Sequence, residues 1–114
     1  MTSSSHVQAF DIWLVYLHFS DRPKTGKVRP VLVVNSTENR IAVAKITSKP
    51  PVPHTGDVPI VQWQQAGLNV PSTVRCSQIF EINAAELLRD APIGTLQTDD
   101  AVQIIQAMTM LGYF

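Results

Sequence analysis

The sequence predicts a mainly β fold with a C-terminal helix (α+β): a small antiparallel barrel or strongly bent sheet with the helix packed on it. Three observations predict it. Five or six short runs rich in β-branched and aromatic residues come first. The long helix-periodic stretch comes last. No strand–helix alternation lies between them, so a doubly wound parallel sheet is not expected. At 114 residues the chain is long enough for one core, so 1–114 reads as a single domain, with 1–8 a disordered N-terminal tail.

The elements follow in order. Residues 10–19 (FDIWLVYLHF) form a strand with apolar side chains on both faces: Phe10, Ile12, Leu14 and Tyr16 on one, Trp13, Val15, Leu17 and Phe19 on the other. Such a strand is central, or bends around a barrel corner. Residues 20–28 are polar, contain Pro23 and Gly26, and read as a mobile loop. Residues 30–35 (PVLVVN) make the next strand, with Pro30 at its start because a central proline would break a ladder. A turn at Thr37-Glu38-Asn39 leads to a paired strand, Ile41–Thr47. Three prolines in 49–54 demand an extended loop. A short strand at 58–61 precedes one helical turn, 62–68, closed by Gly67. Residues 73–82 are a further strand, in which Val74, Cys76, Gln78 and Phe80 alternate with Arg75, Ser77, Ile79 and Glu81. Asn83 and Glu86 form a capping box. After a short link at 92–96, Thr98 caps the last helix, with Asp99 and Asp100 at the favourable end of its dipole. Ala101, Ile104, Ile105, Met108 and Leu111 recur on one helical face, and Met108 and Met110 read as core fillers.

Composition excludes several classes of protein. With 45% hydrophobic and 16% charged residues the chain is not disordered. No apolar run approaches the roughly 18 residues of a membrane span. Residues 1–8 lack the basic and apolar regions of a signal peptide, and the single cysteine, Cys76, makes no internal disulfide, so a reducing cytoplasm is the expected location. Net charge is zero, but residues 22–75 carry eight basic side chains and two acidic ones, while 76–114 carry one basic and five acidic. A positive middle suits a polyanion or an acidic peptide.

The chemistry-bearing residues narrow the choice. His6, His18 and His54 share no ligand spacing with Cys76 or a carboxylate, so neither a metal nor another cofactor is expected. His18 reads as a partly exposed sheet residue and Cys76 as an inert buried thiol. What remains is a set of polar residues at strand ends: Arg29 before Pro30; Thr47, Ser48 and Lys49 after the third strand; Arg75 and Ser77 on one face of a later one. If those strands are neighbours, two guanidiniums and nearby hydroxyls make a phosphate clamp.

Taken together, these segments resemble a known family. Residues 10–15 (FDIWLV) are similar to the opening strand of the MazF/PemK/Kid toxins, 27–34 (KVRPVLVV) to their Arg-Pro strand, 44–48 (AKITS) to their strand ending in Thr-Ser, and 72–78 (STVRCSQ) to their Val-Arg-Cys-Asp-Gln segment. The resemblance runs over about residues 9–112. It implies an SH3-like small bent barrel of the MazF/PemK/CcdB type and a homodimer. It also implies a metal-independent, sequence-selective endoribonuclease toxin that cleaves single-stranded RNA and is neutralised by a short, acidic, partly disordered antitoxin. By the same resemblance Arg29 and Thr47 are catalytic, and Lys27, Ser48, Lys49, Arg75, Ser77 and Gln78 bind substrate, between base-reading loops at 20–28 and 49–56. Lys24 and Pro23 stand where the family has a Glu or His before Arg-Pro, and Ser77 where one branch has an acid. Weak cleavage is therefore expected, with Asp21 as the remaining candidate base. The alternative is a catalytically weak module of the same fold that binds RNA or poisons a protein target, as CcdB relatives do. An unrelated β-barrel module would not explain the ordered motifs. The apolar excess agrees with a dimer, formed through the terminal helix and the hairpin.

Overall fold

The computed structural model describes residues 7–19, 22–37 and 40–113, and at 19 and 22–24 it defines the backbone alone. The elements are β1 (Asp11–Phe19), β2 (Arg22–Ser36), β3 (Ile41–Thr47), β4 (Asp57–Ile60), β5 (Ser72–Ile82), a 3-10 turn at Ala84–Glu86, β6 (Gly94–Thr95) and α1 (Thr98–Met110). They form one six-stranded sheet in the order β4-β5-β3-β2-β1-β6, with antiparallel neighbours throughout.

The sheet curls into the expected SH3-like bent barrel, and its two ends meet. The turns after β4 bring Ala66 and Gly67 against Ile93 and Gly94 at β6. A Cβ on Gly94 would run into the Ala66 carbonyl oxygen, and one on Gly67 into that of Ile93. Gly67 also sits at φ +89°, where other residues are strained. Closure of the barrel thus depends on two backbones that lack side chains where they meet.

Two hydrophobic clusters lie on opposite faces of the sheet. The first joins Ile12, Leu32, Ala44, Ile46, Val74 and Cys76 to Ile104 and Met108 of α1. The second joins Val7, Trp13, Val15, Val31, Val33 and Val43 to Ile41 and Ile82. Alternation along β1, β2 and β3 feeds both, as the doubly apolar strands require. Val7, at the end of the expected tail, is therefore packed.

Several expectations need correction. Residues 22–28 are not a loop: β2 continues through them, with Leu17 opposite Lys27 and His18 opposite Gly26, while Ser20 and Asp21 lie outside the described residues. Pro30 consequently lies inside a strand. It is tolerated because its partner Leu14 gives its carbonyl to the Leu88 N–H instead, and the β2–β3 ladder starts one residue later, at Val31 opposite Lys45. The turn expected at 37–39 is closed by Thr37, whose N–H and hydroxyl both donate to the Arg40 carbonyl; Glu38 and Asn39 fall outside the described residues. In β5 the alternation breaks. Ala44 pairs with Ile79 but Lys45 pairs with Arg75, so residues 76–78 bulge, and the Cys76 N–H turns to the Gly56 carbonyl. The capping box at Asn83 and Glu86 is present.

Helix α1 begins one residue earlier than its sequence suggests, with Gln97 as N-cap and no side-chain cap. Ile105, Met110 and Leu111 are exposed rather than buried, so the core stripe narrows to Ile104 and Met108, flanked by Ala101 and Ala107. Asp100 is only 3% exposed. Its two carboxylate oxygens accept the Val61 and Gln62 N–H groups at 3.0 and 2.9 Å, pinning the turns after β4 to the helix. Asp100→Ala strands both donors, and unfolding in urea should show a loss of about 2–3 kcal/mol, with a smaller loss for Asp100→Asn, which keeps one acceptor.

Candidate functional site

The second face of the sheet changes character along its length. On β2, Val33 and Val31 are followed toward the N-terminus by Arg29 and Lys27; on β3, Val43 is followed by Lys45 and Thr47. The same alternation that buries valines at one end therefore presents cations at the other. Register aligns them: Val31 is opposite Lys45, which is opposite Arg75 on β5, and Thr47 is opposite Thr73. Arg29 lies within β2 opposite Val15, not at a strand end, and its side chain is exposed.

At this end of the sheet β1 and β3 finish and β5 begins, and a pocket of about 510 Å³ opens there. Five basic side chains line it: Lys27, Arg29, Lys45, Lys49 and Arg75. No carboxylate is among its lining residues, and none of the five is ion-paired to a described carboxylate. The ion pair at Arg40 and Glu81, 2.8 Å long, is exposed on another part of the sheet. Arg75 is half-buried, and its Nε has no hydrogen-bond partner among the described residues. An unmet buried donor costs on the order of 1–3 kcal/mol, which an anion at the pocket floor would offset.

Hydroxyl groups complete the polar wall. Thr47 Oγ1 accepts the Lys49 N–H at 3.2 Å, which bends the chain after β3 and leaves the hydroxyl proton free to donate outward. Ser48 stands beside it. Ser72 donates to the Val70 carbonyl at 2.8 Å and steadies the segment 68–70 that forms the facing wall. The floor and sides include Leu14, Leu17, Leu68 and Ile93, so charge and apolar surface adjoin.

The pocket unites Lys27, Arg29, Thr47, Ser48, Lys49 and Arg75, all anticipated from the sequence. Ser77 and Gln78 do not line it; the β5 bulge carries them away, exposed. Among its polar lining residues, Lys45, Asn69, Ser72 and His18 were not read as site residues from the sequence. Lys45 was legible by alternation from Thr47. His18 needed the β1–β2 register, which places it beside the continued strand instead of at the mouth of a loop. Among the described residues no group of three or more His, Cys, Asp or Glu is arranged to hold a metal ion. No helix among them is long and apolar enough to cross a membrane.

The description of PemK-like, MazF-like toxins of type II toxin–antitoxin systems fits residues 8–111, and the chain belongs to that family. Solved structures agree. The chain is similar to the Mycobacterium tuberculosis toxin MazF-mt6, with 27% identity, a TM-score of 0.67 and coverage of 88% of this chain and 93% of that one. It shares its fold with an endoribonuclease bound to its cognate antitoxin from a mycobacterial species (15% identity, TM-score 0.73, 93% and 95% covered). The same holds for MazF in a MazE-MazF structure from Deinococcus radiodurans (16%, 0.64, 95% and 97%). A comparison with curated proteins finds no match.

Cys76, the first residue of the bulge, is fully buried, and burial, with Asp57 nearby, pushes its thiol up to about 11 from 9.0. The folded protein should therefore resist thiol-specific reagents at about pH 8 and react only on unfolding. The sign for stability follows. The thiol stays protonated in the folded chain while the unfolded chain ionises, so this contribution is complete below about 9 and is lost as pH rises toward about 11.

Proposed function

We propose that this chain is a metal-independent, sequence-selective endoribonuclease toxin acting on single-stranded RNA in the cytoplasm. The observation that carries the reading is the pocket itself: five cations, a donor-ready threonine and an unmet guanidinium nitrogen, with no carboxylate among the lining residues. Such a wall attracts a phosphodiester and favours the extra negative charge of its phosphorane. The apolar flank suits splayed bases of a single strand.

In this reading the 2′-hydroxyl of the substrate attacks the adjacent phosphorus. Arg29 presents a fork of donors to the phosphorane oxygens. Thr47 donates its hydroxyl proton to the same centre, and Arg75 clamps the backbone. Lys27, Ser48 and Lys49 extend the track for neighbouring phosphates. The ladder fixes the Arg29 backbone opposite Val15, so the side chain always starts from the same edge of the pocket.

The partner follows from the same charge. A short, acidic, partly disordered antitoxin would fold over the basic pocket and occlude it. The chain acts as a homodimer: Val102, Ile105, Met110 and Leu111 are large apolar side chains left exposed on and just beyond α1, and Met110 is 88% exposed. Sedimentation should give the dimer mass at micromolar concentration; a monomer removes this part of the reading.

The decisive measurement is cleavage of a long RNA with EDTA present, mapped by primer extension. Arg29→Lys should slow cleavage on the order of 10²-fold or more while the unfolding transition stays put, because the side chain is exposed. If Arg29→Ala cuts as fast as the parent, the site is misassigned. If the parent binds RNA yet cuts none, the chain is a binding module on this fold.

A further inference from the structure

Transfer of a phosphoryl group to a 2′-oxygen needs a proton acceptor, and cations cannot serve. The other ionisable side chains among the pocket's lining residues are Lys27 and Arg29 of β2, Lys45 of β3, Lys49 after it, and Arg75 of β5. An ammonium or a guanidinium is a donor only and offers no lone pair to take a proton. The one lining side chain that pairs a nitrogen acceptor with a nitrogen donor in one ring is the imidazole of His18, at the end of β1.

The surroundings of His18 suit that task. Neither ring nitrogen bonds another described residue, so a lone pair is available to substrate. The ring meets the Tyr16 ring edge-to-face, with centroids 5.1 Å apart and planes 74° apart, which limits its rotation. Its cross-strand neighbour is Gly26. A Cβ there would run into the Leu17 carbonyl oxygen and stand 2.9 Å from Tyr16 Cε1, so glycine is what lets the strands close and the tyrosine ring lie where it does. The glycine, the tyrosine and the histidine therefore act as one support.

We infer that His18 is the general base of this pocket, taking up the role for which the family's own loop position offers only Lys24 and Pro23. The inference rests on the nuclease reading given above. The imidazole takes the 2′-hydroxyl proton as the 2′-oxygen bonds to phosphorus. The bond from phosphorus to the 5′-oxygen breaks with its electron pair on that oxygen, which gains a proton from solvent. The exposed imidazolium returns its proton to solvent. No water is consumed, and the ends formed are a 2′,3′-cyclic phosphate and a 5′-hydroxyl. Tyr16 is a positioning residue.

The test compares parent, His18→Gln, His18→Ala and Asp21→Asn on one RNA with EDTA present, across about pH 5.5 to 8.5. Binding of the all-2′-deoxy analogue, which cannot react, is measured beside it. Cleavage by the parent should fall at low pH as the base protonates. His18→Gln should lose about 10²–10⁴-fold in rate and lose that acid limb, while still binding the deoxy analogue as the parent does. Free imidazole should restore part of the activity of His18→Ala. Parent-like cleavage by His18→Gln, or an acid limb that survives there and disappears in Asp21→Asn, overturns the assignment and leaves the nuclease reading intact. A parent that binds RNA without cutting it overturns the nuclease reading and this inference together.

Discussion

One strand has to serve two cores. β2 pairs with β1 on one side and β3 on the other, and its alternate side chains go to opposite faces: Leu32 to the cluster beneath α1, Val31 and Val33 to the cluster around Trp13. A shift of one residue in its register would exchange the two sets. Both apolar clusters, and the order of every strand flanking them, depend on that register holding. The site depends on it too. Arg29 and Lys27 share the parity of Val31 and Val33, so the valines that lock the strand also determine which way the cations face.

The pocket opens where this strand loses one of its neighbours. β3 stops pairing with β2 at Val31, next to Pro30, and beyond that point the outer face has no sheet to continue it. A proline there has a definite effect: it supplies no donor on the side where no ladder remains and disturbs nothing on the side facing β1. The basic residues gather around that gap. The wall opposite is held by Asp100, whose carboxylate ties the turns after β4 to α1, and by the contact of Gly67 with Ile93 and Gly94 that closes the barrel. The facing wall is thus kept in place by other parts of the fold.

Much of this was legible from the residues. Ile41–Thr47 has the same bounds in sequence and structure because a β-prone run lies there between turn-forming segments. Arg29, Thr47 and Arg75 were anticipated to converge, and they line one pocket. What was not legible came from partners distant in sequence. Residues 22–28 have a loop's composition and become strand because β1 extends alongside them. The β5 bulge has no local signal; it arises where Lys45 pairs with Arg75 three residues before alternation would place it, and it moves Ser77 and Gln78 out of reach. Asp100 reads as a residue complementing the helix dipole, yet it is spent on two backbone donors of another segment. His18 reads as an ordinary sheet residue until the length of β2 is known.

The separation of charge has a consequence for how the molecule meets a long polyanion. With no net charge, the chain exerts almost no pull at a distance; beyond a Debye length of about 8–10 Å the opposite signs cancel. Closer in, the five cations that line one pocket, with no carboxylate among its lining residues, leave that end locally positive. A dipole near a charged strand experiences torque before it experiences capture. A molecule so polarised turns its positive end toward an anionic strand. Encounters are therefore no more frequent than for a neutral particle, but a larger share of them arrive correctly aligned.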